Sequence, residues 1–431
     1  LSVNFGNQIE LTGYALGDAS SSAHVNDLQT SSNDLLWLRL GWEKIGEHPE
    51  NLKVSALVYN ETGQLITQVD KLLVSNILQV SSKDWDINTA EATYFLIPIP
   101  AATPPGIYTV QVATYGDESL ARLPIVDQIS GLVPLDSFTI NPATAPINPE
   151  DLDLSLTINR ELWPGLTLVG FETLPGESIR SGDQLGASLI WQAGNEPLNA
   201  DLGMGLIVKE ADGDTRWPLS EPIGLAGPHY PSSQWQAGEV LRGWLSTRIP
   251  PTLEPGTYSL ILELSQLDQS DGETLELPIG NFEVEGWQRN FEPPQPHIEL
   301  DANFDNLTTL IGLDSEALEY SPGDTLNARL HWRVDGEFTQ NFTAFIHLIG
   351  PDGLLYGQVD QTPGAGAFPT SGWLSGEYIA DSYSVPIDPN APLGDYLIEI
   401  GMYDPNSGQR LSVTLEGQTD DKILLPGLTV K

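Results

Sequence analysis

The chain has 431 residues, a length that predicts two to four domains with real cores. Because 40% of the residues are hydrophobic, the composition is that of a globular protein and excludes a disordered acidic chain. Its net charge of -41, from 18 Lys and Arg against 59 Asp and Glu, excludes nucleic acid as a partner because such a surface repels phosphate. The absence of Cys excludes disulfides and thiolate chemistry, and without a run of about 18 apolar residues no insertion into a membrane is expected.

The first predicted element is an opening strand that occurs three times. It reads NFGNQIELTGY from residue 4, LWPGLTLVGF from residue 162 and NFDNLTTLIGL from residue 303. In each stretch a Gly follows an apolar residue after eight positions and precedes a large apolar residue; these are Gly13, Gly170 and Gly312. A shared register at three places indicates an internal repeat.

The next element is a strand that runs from an Asp to a Trp eight residues later. The pairs are Asp34 with Trp42, Asp183 with Trp191, and Asp324 with Trp332. Apolar residues alternate with polar ones between them, for example at Leu326, Ala328 and Leu330, which is typical of a half-buried strand. We therefore expect the three Trp residues to lie in the cores.

A third element fixes three residues over about two dozen positions. A Trp is followed by Gly after 21 residues and by Tyr after 23, in the sets Trp85, Gly106 and Tyr108; Trp235, Gly256 and Tyr258; Trp373, Gly394 and Tyr396. A turn that leads into an alternating strand with Tyr near its start is typical of the corner Tyr of immunoglobulin-like sandwiches. These Trp, Gly and Tyr residues, with the Trp residues of the preceding element, form the predicted structural signature.

Each copy closes on a short strand introduced by Pro, and Pro-rich segments separate the copies. The sequence therefore predicts an all-β protein of three tandem immunoglobulin-like, Greek-key β-sandwich domains at residues 1–141, 142–286 and 287–431. Because the linkers at residues 141–151 and 292–297 are rich in Pro, we expect an extended arrangement of the three domains.

Catalytic groups are weakly indicated. The best His pair is His331 with His347, but the aligned positions hold Ile190 and Gly41, and Ile207 and Leu57. Glu239 and Glu377 lie four residues after their Trp, whereas the first copy has Thr89 there. We therefore expect structural roles for these residues and no enzyme activity, with a hydrolase of unfamiliar site as the minor alternative.

A calcium loop and a sugar platform are the other candidate sites. Asp301, Asn303 and Asp305 have the one-three-five spacing of an oxygen-ligand loop, but Asn306 stands where Gly is expected and Gly312 where Glu is expected. A strand is favoured, so neither a metal nor another cofactor is expected. Three Trp residues outside the repeated positions could stack on sugars, although partial burial is the ordinary explanation; these are Trp37, Trp217 and Trp244.

The third copy carries a resemblance to a known family. Its segments GDTLNARLHW, FPTSGWLSGEYIADSYSVPI and PLGDYLIEIGMYDPNSGQRL resemble the extracytoplasmic C-terminal repeats of bacterial, Chloroflexi-type, glycosyltransferase-family-39-like membrane proteins. The resemblance implies a location outside the cytoplasmic membrane and partners among surface or membrane proteins and glycans. It carries over no catalytic residue, because the family's catalytic acids belong to its membrane-embedded part. A structural or interaction region is the leading hypothesis, and a glycan-binding module is the main alternative.

Overall fold

The computed structural model describes residues 1–431 except 76–78, 121, 127–130, 144–146, 174–175, 177, 212, 268–272, 316 and 406–407. The described residues contain strands and short 3-10 turns but no α-helix, and none of their segments is a helix that could cross a membrane. The chain divides into two compact units. The first holds Leu1–Glu177, Leu185–Thr247 and Thr257–Phe282, and the second holds Ser178–Gln184, Arg248–Gly256 and Glu283–Lys431.

The first copy contributes strands β1 to β9. Their bounds are β1 Val3–Phe5, β2 Ile9–Asp18, β3 Gln29–Ser31, β4 Leu35–Lys44, β5 Leu52–Asn60, β6 Leu65–Leu72, β7 Ala90–Pro98, β8 Gly106–Gly116 and β9 Val133–Asn141. One sheet has the order β1-β2-β4-β7 and the other the order β3-β9-β8-β5-β6.

The second copy contributes strands β10 to β19. Their bounds are β10 Leu156–Trp163, β11 Leu166–Thr173, β12 Ser178–Arg180, β13 Gln184–Ala193, β14 Leu202–Glu210, β15 Arg216–Pro218, β16 Ile223–Gly224, β17 Val240–Arg248, β18 Gly256–Gln266 and β19 Thr274–Glu285. The two sheets have the orders β10-β11-β13-β17 and β12-β19-β18-β14-β15, with β16 paired to β14.

The third copy contributes strands β20 to β30. Their bounds are β20 Ile298–Phe304, β21 Thr308–Ser315, β22 Glu319–Tyr320, β23 Thr325–Val334, β24 Thr343–Ile349, β25 Leu355–Gln361, β26 Tyr378–Pro386, β27 Gly394–Tyr403, β28 Val413–Leu415, β29 Gln418–Asp420 and β30 Ile423–Val430. The sheets have the orders β26-β23-β21-β20-β28-β29 and β22-β30-β27-β24-β25.

The three copies share one core topology, to which copy three adds β28 and β29 at the edge of its first sheet. In each, a short strand pairs in parallel with the closing strand (β3 with β9, β12 with β19, β22 with β30), while the other described pairs are antiparallel. Six sheets form three sandwich pairs in which the chain passes between the two sheets in the Greek-key manner of immunoglobulin-like domains. The all-β, triple-sandwich fold expected from the sequence is confirmed.

The stretch expected to be one opening strand is instead a hairpin of two strands in every copy (β1 with β2, β10 with β11, β20 with β21). Its repeated Gly marks an irregularity in the second strand of each hairpin. The register of this second strand with its other neighbour (β4, β13 or β23) shifts between Leu11 and Gly13, between Leu168 and Gly170, and between Leu310 and Gly312. A Cβ on Gly312 would lie 2.2 Å from Cγ of Pro296 and 2.5 Å from the carbonyl oxygen of Ile298. Only Gly allows the preceding strand to approach Gly312 so closely, and the same holds at Gly170, where a Cβ would lie 2.2 Å from the carbonyl oxygen of Leu156. A Cβ on Gly13 would meet no described atom within 4 Å, so close packing does not explain the Gly of copy one.

The cores lie between the paired sheets and contain the repeated Trp residues. Relative exposure is 1% for Trp42 and 0% for Trp191 and Trp332, because the alternation of their strands turns them inward. By area, burying roughly 200 Å² of one indole contributes roughly 5 kcal/mol before the cost of ordering the chain.

Candidate functional site

A tight turn precedes β7, β17 and β26, the strands at one edge of the first sheet of each sandwich. The 3-10 segments Ser82–Asp84, Ser232–Gln234 and Thr370–Gly372 each end at the Trp of the structural signature. The indole N–H of that Trp donates to the carbonyl five residues earlier, over 3.1 Å from Trp85, 3.2 Å from Trp235 and 3.0 Å from Trp373. The Trp therefore anchors the turn as well as filling the core.

A hydroxyl three residues before each of these Trp residues joins the turn to the second sheet. The hydroxyl oxygens of Ser82, Ser232 and Thr370 accept the backbone N–H of Leu52, Leu202 and Phe342, over 2.9, 2.8 and 2.9 Å. The interaction was missed at the level of sequence, although Ser or Thr recurs three residues before Trp in all three copies. All three hydroxyl residues are buried, so the bonds replace water that the backbone donors cannot reach.

The Tyr of the structural signature makes the corner hydrogen bond in the first and third sandwiches. The hydroxyl of Tyr108 donates to the carbonyl of Pro104 over 2.8 Å, and that of Tyr396 donates to the carbonyl of Pro392 over 2.9 Å. Burial raises the pKa of Tyr108 and of Tyr396, so both hydroxyls stay protonated and able to donate. The geometry is that of a tyrosine corner.

Within the first unit, the loop before β8 of copy one lies against the first sheet of copy two. The backbone N–H of Arg242 donates to the carbonyl of Ala102 over 2.7 Å. Ala102 also belongs to a buried apolar cluster with Val169, Ile190 and Val240. Ile147 of the linker, and Leu152 and Leu154 directly after the linker, are partly buried against the same cluster, so part of the linker is packed against the sandwich.

A charged pair braces this contact from copy two. The Nε and Nη2 atoms of Arg242 each lie 2.5 Å from a different carboxylate oxygen of Glu172, and Ser188 donates to the same carboxylate over 2.9 Å. The Arg242 side chain is 8% exposed and that of Glu172 is 18% exposed. A bidentate, partly desolvated pair holds its geometry far better than a surface salt bridge.

The rim of the same contact carries a second charged pair and a small cavity. Nε2 of His229 lies 2.6 Å from Oε2 of Glu61. Beside them is a cavity of about 30 Å³, lined by Pro105, Ile107 and Trp244 among others. This volume holds about one water molecule and no sugar ring.

Within the second unit, Glu377 is the centre of a buried network. Its side chain is 1% exposed, its Oε1 accepts from the Trp287 indole over 2.9 Å, and its Oε2 accepts from Nη1 of Arg289 over 2.7 Å. The Arg289 guanidinium stacks on the Trp287 ring at 4.3 Å, which is a cation–π contact. Arg289 also donates to the carbonyls of Gly372 and Pro251 over 2.8 and 3.0 Å.

Two glycines allow the backbones of the second unit to touch beside this network. A Cβ on Gly182, which has φ +88°, would lie 2.3 Å from Cα of Gly372. The Ser371 hydroxyl donates to the Gly182 carbonyl over 2.7 Å, and Nη1 of Arg180 donates to the Gly366 carbonyl over 2.6 Å. Segments from copies two and three are therefore bound by buried polar groups and close packing.

The two candidate catalytic His residues lie on different sheets of the third sandwich. Nε2 of His331, on β23, lies 2.8 Å from Oδ2 of Asp314. His331 pairs with Gly312 in the sheet register, as Gly41 pairs with Gly13 and Ile190 with Gly170, so the three positions are equivalent. His347, on β24, has Nε2 3.0 Å from Oδ1 of Asp360. Each His has its own carboxylate partner, so the structure does not bring the two together as a dyad.

The Asp314 carboxylate accepts hydrogen bonds from the backbone N–H of His297 and from the His331 ring. Burial alone would raise its pKa, but the hydrogen bonds from the His297 backbone N–H and the His331 ring outweigh burial and lower the pKa. A shallow surface cavity of about 330 Å³ opens beside it, lined by His297, Asn327 and Arg329 among others. The described residues hold no group of three His, Asp or Glu side chains placed to bind a metal ion.

The candidate calcium residues have structural partners. Oδ1 of Asn303 accepts the backbone N–H of Asn306 over 2.9 Å, and Oδ2 of Asp305 accepts the backbone N–H of Ser412 over 3.0 Å. Asp301 is exposed on β20. The spacing therefore shapes the turn between β20 and β21.

The candidate sugar platforms are half-buried and lie apart in the fold. The indole N–H of Trp37 donates to the carbonyls of Asp18 and Ser21 over 2.9 and 3.0 Å. The ring of Trp217 meets that of Tyr258 edge to face at 5.7 Å. Trp244 lines the small cavity of the first unit.

Two further acids are buried in the third and second sandwiches. Asp381 is 0% exposed, accepts the Tyr383 hydroxyl over 2.5 Å and the Gly364 backbone N–H over 2.7 Å, and burial raises its pKa. Glu239, expected to be structural, accepts the Tyr230 hydroxyl over 3.0 Å and the Gln236 N–H over 2.8 Å. Sequence reasoning missed Asp381, because one Asp among polar strand positions carries no distinguishing pattern.

Comparison with known proteins assigns no family. No protein-family model and no curated protein matches the chain. Among solved structures, a marsupial T cell receptor matches over 96% of this chain and 100% of its own length, at 13% identity and a TM-score of 0.16. A red sea bream transglutaminase matches over 64% of this chain and 31% of its own, at 9% identity and a TM-score of 0.17.

A third solved structure is a family 123 glycoside hydrolase from Clostridium perfringens, which matches over 27% of this chain and 24% of its own, at 12% identity and a TM-score of 0.17. The chain thus spans about a quarter of that hydrolase and about a third of the transglutaminase. The fold assignment rests on the strand topology and not on these likenesses.

Proposed function

We propose that this chain is a non-catalytic structural and interaction region that holds immunoglobulin-like sandwiches in fixed succession and so spaces its binding partners. The observation that carries this proposal is the use of scarce cations. The chain has only 18 Lys and Arg, yet the guanidinium groups of Arg289 and Arg180 donate to backbone carbonyls of a neighbouring copy. A third cation, Arg242, pairs with Glu172 where its backbone N–H meets Ala102 of copy one.

The energetics of the acidic surface support the same function. With a net charge of -41, successive sandwiches repel one another unless specific contacts offset that repulsion. The hydrogen bonds from Arg289 to Pro251 and from Arg180 to Gly366 are specific contacts of this kind. The Arg289–Glu377 and Arg242–Glu172 pairs each lie within one copy and hold their guanidinium groups beside the places where copies meet. A desolvated ion pair adds little net stability, but it is favourable only in one relative position of its two groups. A spacer requires fixed positions of this kind.

The resemblance of the third copy supports an extracytoplasmic location at a bacterial cell surface or at the outer face of the cytoplasmic membrane. In this setting the chain is the tail of a glycosyltransferase-family-39-like membrane protein or a part of a surface layer or filament. Its partners are other surface or membrane proteins and glycans. Digestion of intact source cells with an external protease tests the location: the chain is removed while a cytoplasmic marker persists. Protection of the chain until lysis contradicts it.

The non-catalytic character is tested by incubating the purified chain with aryl glycosides and aryl esters. No turnover above the rate of buffer is expected, because the candidate acids and His residues already hold strands and turns. Turnover that disappears in the His331→Gln or Asp314→Asn variant would establish a hydrolase instead.

Glycan binding is the second candidate function, favoured by the aromatic Trp37 and Tyr94 on the outer face of one sheet. Trp37 is half-buried and Tyr94 is 55% exposed. Stacking on such rings is a common way to hold a sugar. Titration with cell-wall saccharides tests this function, with binding followed by Trp fluorescence in the wild type and in Trp37→Ala, which lacks the ring. Saturable binding by the wild type that is lost in the variant is expected only if the chain binds glycans.

A further inference from the structure

The first unit shows how the end of one sandwich binds the outer face of the next. In copy one, the turn after β5 and the loop before β8 form that end, and they carry Glu61 and Ala102. In copy two, the strand β17 presents Arg242 and Trp244 to them. Trp244 lies nine residues after the signature Trp235, which gives each sandwich an equivalent position.

The equivalent face of copy one is exposed and apolar. Tyr94 lies nine residues after Trp85, and 55% of it is exposed instead of half-buried like Trp244. Leu96 is 63% exposed and Leu35 is 48% exposed. Tyr94 pairs with Arg39 and Leu96 pairs with Trp37, so these side chains share one side of the sheet. We call Leu35, Tyr94 and Leu96 the copy-one face.

The equivalent end of copy three is also exposed and apolar. Leu393 lies three residues before Tyr396, where copy one has Pro105 in contact with the small cavity, and Leu393 is 67% exposed. The turn between β24 and β25 adds Leu354 at 60% and Leu355 at 45% exposure. A Cβ on Gly394 would lie 3.1 Å from Cγ of Pro351, so loop and turn are neighbours. We call Leu354, Leu355 and Leu393 the copy-three end.

The charges around these two surfaces are complementary. Arg39 and Lys71 are exposed beside the copy-one face, and Nζ of Lys71 donates to the Tyr94 carbonyl over 2.7 Å. The copy-three end is flanked by the exposed carboxylates of Asp352, Asp388 and Asp395. Exposed apolar groups ringed by opposite charges are typical of protein interaction sites.

We propose that the copy-one face of one molecule binds the copy-three end of a second copy of this chain, repeating between molecules the contact that the first unit makes internally. The inference rests on the proposed structural function and names its partner. Because the two surfaces differ, the contact is heterologous and head-to-tail, and it adds molecules in an open string instead of a closed dimer.

Sedimentation velocity of the purified chain over a range of concentrations tests the proposal. It is run at about 0.15 M ionic strength, where the Debye length is about 8 Å and long-range repulsion is screened. We expect the weight-average sedimentation coefficient to rise with concentration. Leu96→Lys and Leu393→Lys should each weaken association about tenfold or more. Ile87→Lys and Leu424→Lys are the controls, since they change exposed residues of copies one and three by the same charge.

Mixing the two interface variants determines the polarity of the contact. The Leu96→Lys variant keeps an intact copy-three end, and the Leu393→Lys variant keeps an intact copy-one face. Their mixture should therefore form a one-to-one complex that grows no further, while each variant alone stays monomeric. Thermal unfolding of every variant checks that it is folded.

Three results on self-association would overturn the proposal. They are a monomer at all concentrations up to about 1 mM, association equal in the interface variants and the controls, and association of Leu393→Lys alone through a face-to-face contact. Saccharide binding lost in Leu96→Lys without self-association assigns the face to a glycan and also overturns it. None of these results depends on protease access to intact cells or on absent turnover, so the proposed function stands or fails separately.

Discussion

Arg289 donates to Glu377 over 2.7 Å, and Glu377 has no access to solvent. The pair joins the segment that follows β19 to the segment that precedes β26, and Arg289 reaches on to the carbonyl of Pro251. One guanidinium therefore satisfies a buried carboxylate and binds two further stretches of backbone. The removal of such a cation leaves a buried charge with too few partners.

Replacement of Arg289 by Met is expected to lower the free energy of unfolding of the second unit by about 3 to 5 kcal/mol. Arg329→Met, an exposed change on the same sandwich, is the matched control and should cost less than about 0.5 kcal/mol. Urea denaturation followed by Trp fluorescence measures both. The double variant Arg289→Met, Glu377→Gln should recover much of the loss, and equal stability of the Met variant and the control would refute this role of the pair.

Thr370→Val tests the hydroxyl that binds the turn to the second sheet. Val has the shape of Thr but cannot accept the Phe342 N–H, which stays buried, so the expected cost is about 1 to 3 kcal/mol. The same substitution should speed hydrogen exchange of the Phe342 backbone amide. Thr414→Val, at an exposed position of β28, is the control. An unchanged exchange rate at Phe342 would show that the hydroxyl is dispensable, and Ser82→Ala and Ser232→Ala extend the test to the other copies.

His48 predicts a loss of stability on acidification. It is 4% exposed, and burial, with the nearby charge of Lys44, lowers the pKa of its imidazole in the folded chain. The unfolded chain therefore takes up this proton first, and the stabilisation is complete above the unfolded pKa of about 6.5 and is lost as pH falls from there toward the lowered folded pKa. Each tenfold difference in the dissociation constant corresponds to about 1.4 kcal/mol.

The measurement for His48 is the free energy of unfolding at pH 8 and pH 5 in the wild type and in His48→Asn. The wild type should lose more stability on acidification than the variant. Parallel pH profiles of the two proteins would show that His48 does not contribute to the dependence.

Asp381 predicts the opposite dependence of stability on pH. Burial raises the pKa of its carboxyl in the folded chain, so the folded chain binds this proton more tightly and stability falls as pH rises from the unfolded pKa through the folded pKa. Asp381→Asn removes the buried charge and can keep hydrogen bonds to Gly364 and Tyr383. The variant should therefore be at least as stable as the wild type at pH 8, with the difference smallest at pH 5. A variant that is less stable by more than about 1 kcal/mol at pH 8 would contradict this account.

Much of the fold followed from the sequence because the features that fix a sandwich are local and recur. The alternation that leads to Trp332 places it in the core, and the spacing from Trp85 to Tyr108 places a turn and the start of a strand. The turn hydroxyls could have been found from the recurrence of Ser or Thr before Trp. The same recurrence, applied to His331, favoured a structural role, and the structure gives this His one partner, Asp314.

The charged pairs that lie beside the contacts between copies could not be predicted, for a physical reason. The Arg242–Glu172 pair joins residues that are 70 positions apart, and Arg289 meets Glu377 across 88 positions, within a chain of 59 acidic residues. No local pattern distinguishes Glu172 and Glu377 from the acids that are fully solvated. Only the packing of sheets decides which carboxylates lose water and so need a fixed cation.

The central claim is that successive sandwiches are held in fixed succession, and the absence of Cys makes a direct test simple. Spin labels on the double variant Gln68→Cys, Thr274→Cys, at exposed positions of copies one and two within the first unit, report the distance between β6 and β19. Pulsed dipolar spectroscopy should give one narrow distance distribution that broadens when Arg242→Ala is added. A broad or multiple distribution in the protein with Arg242 intact would contradict the account.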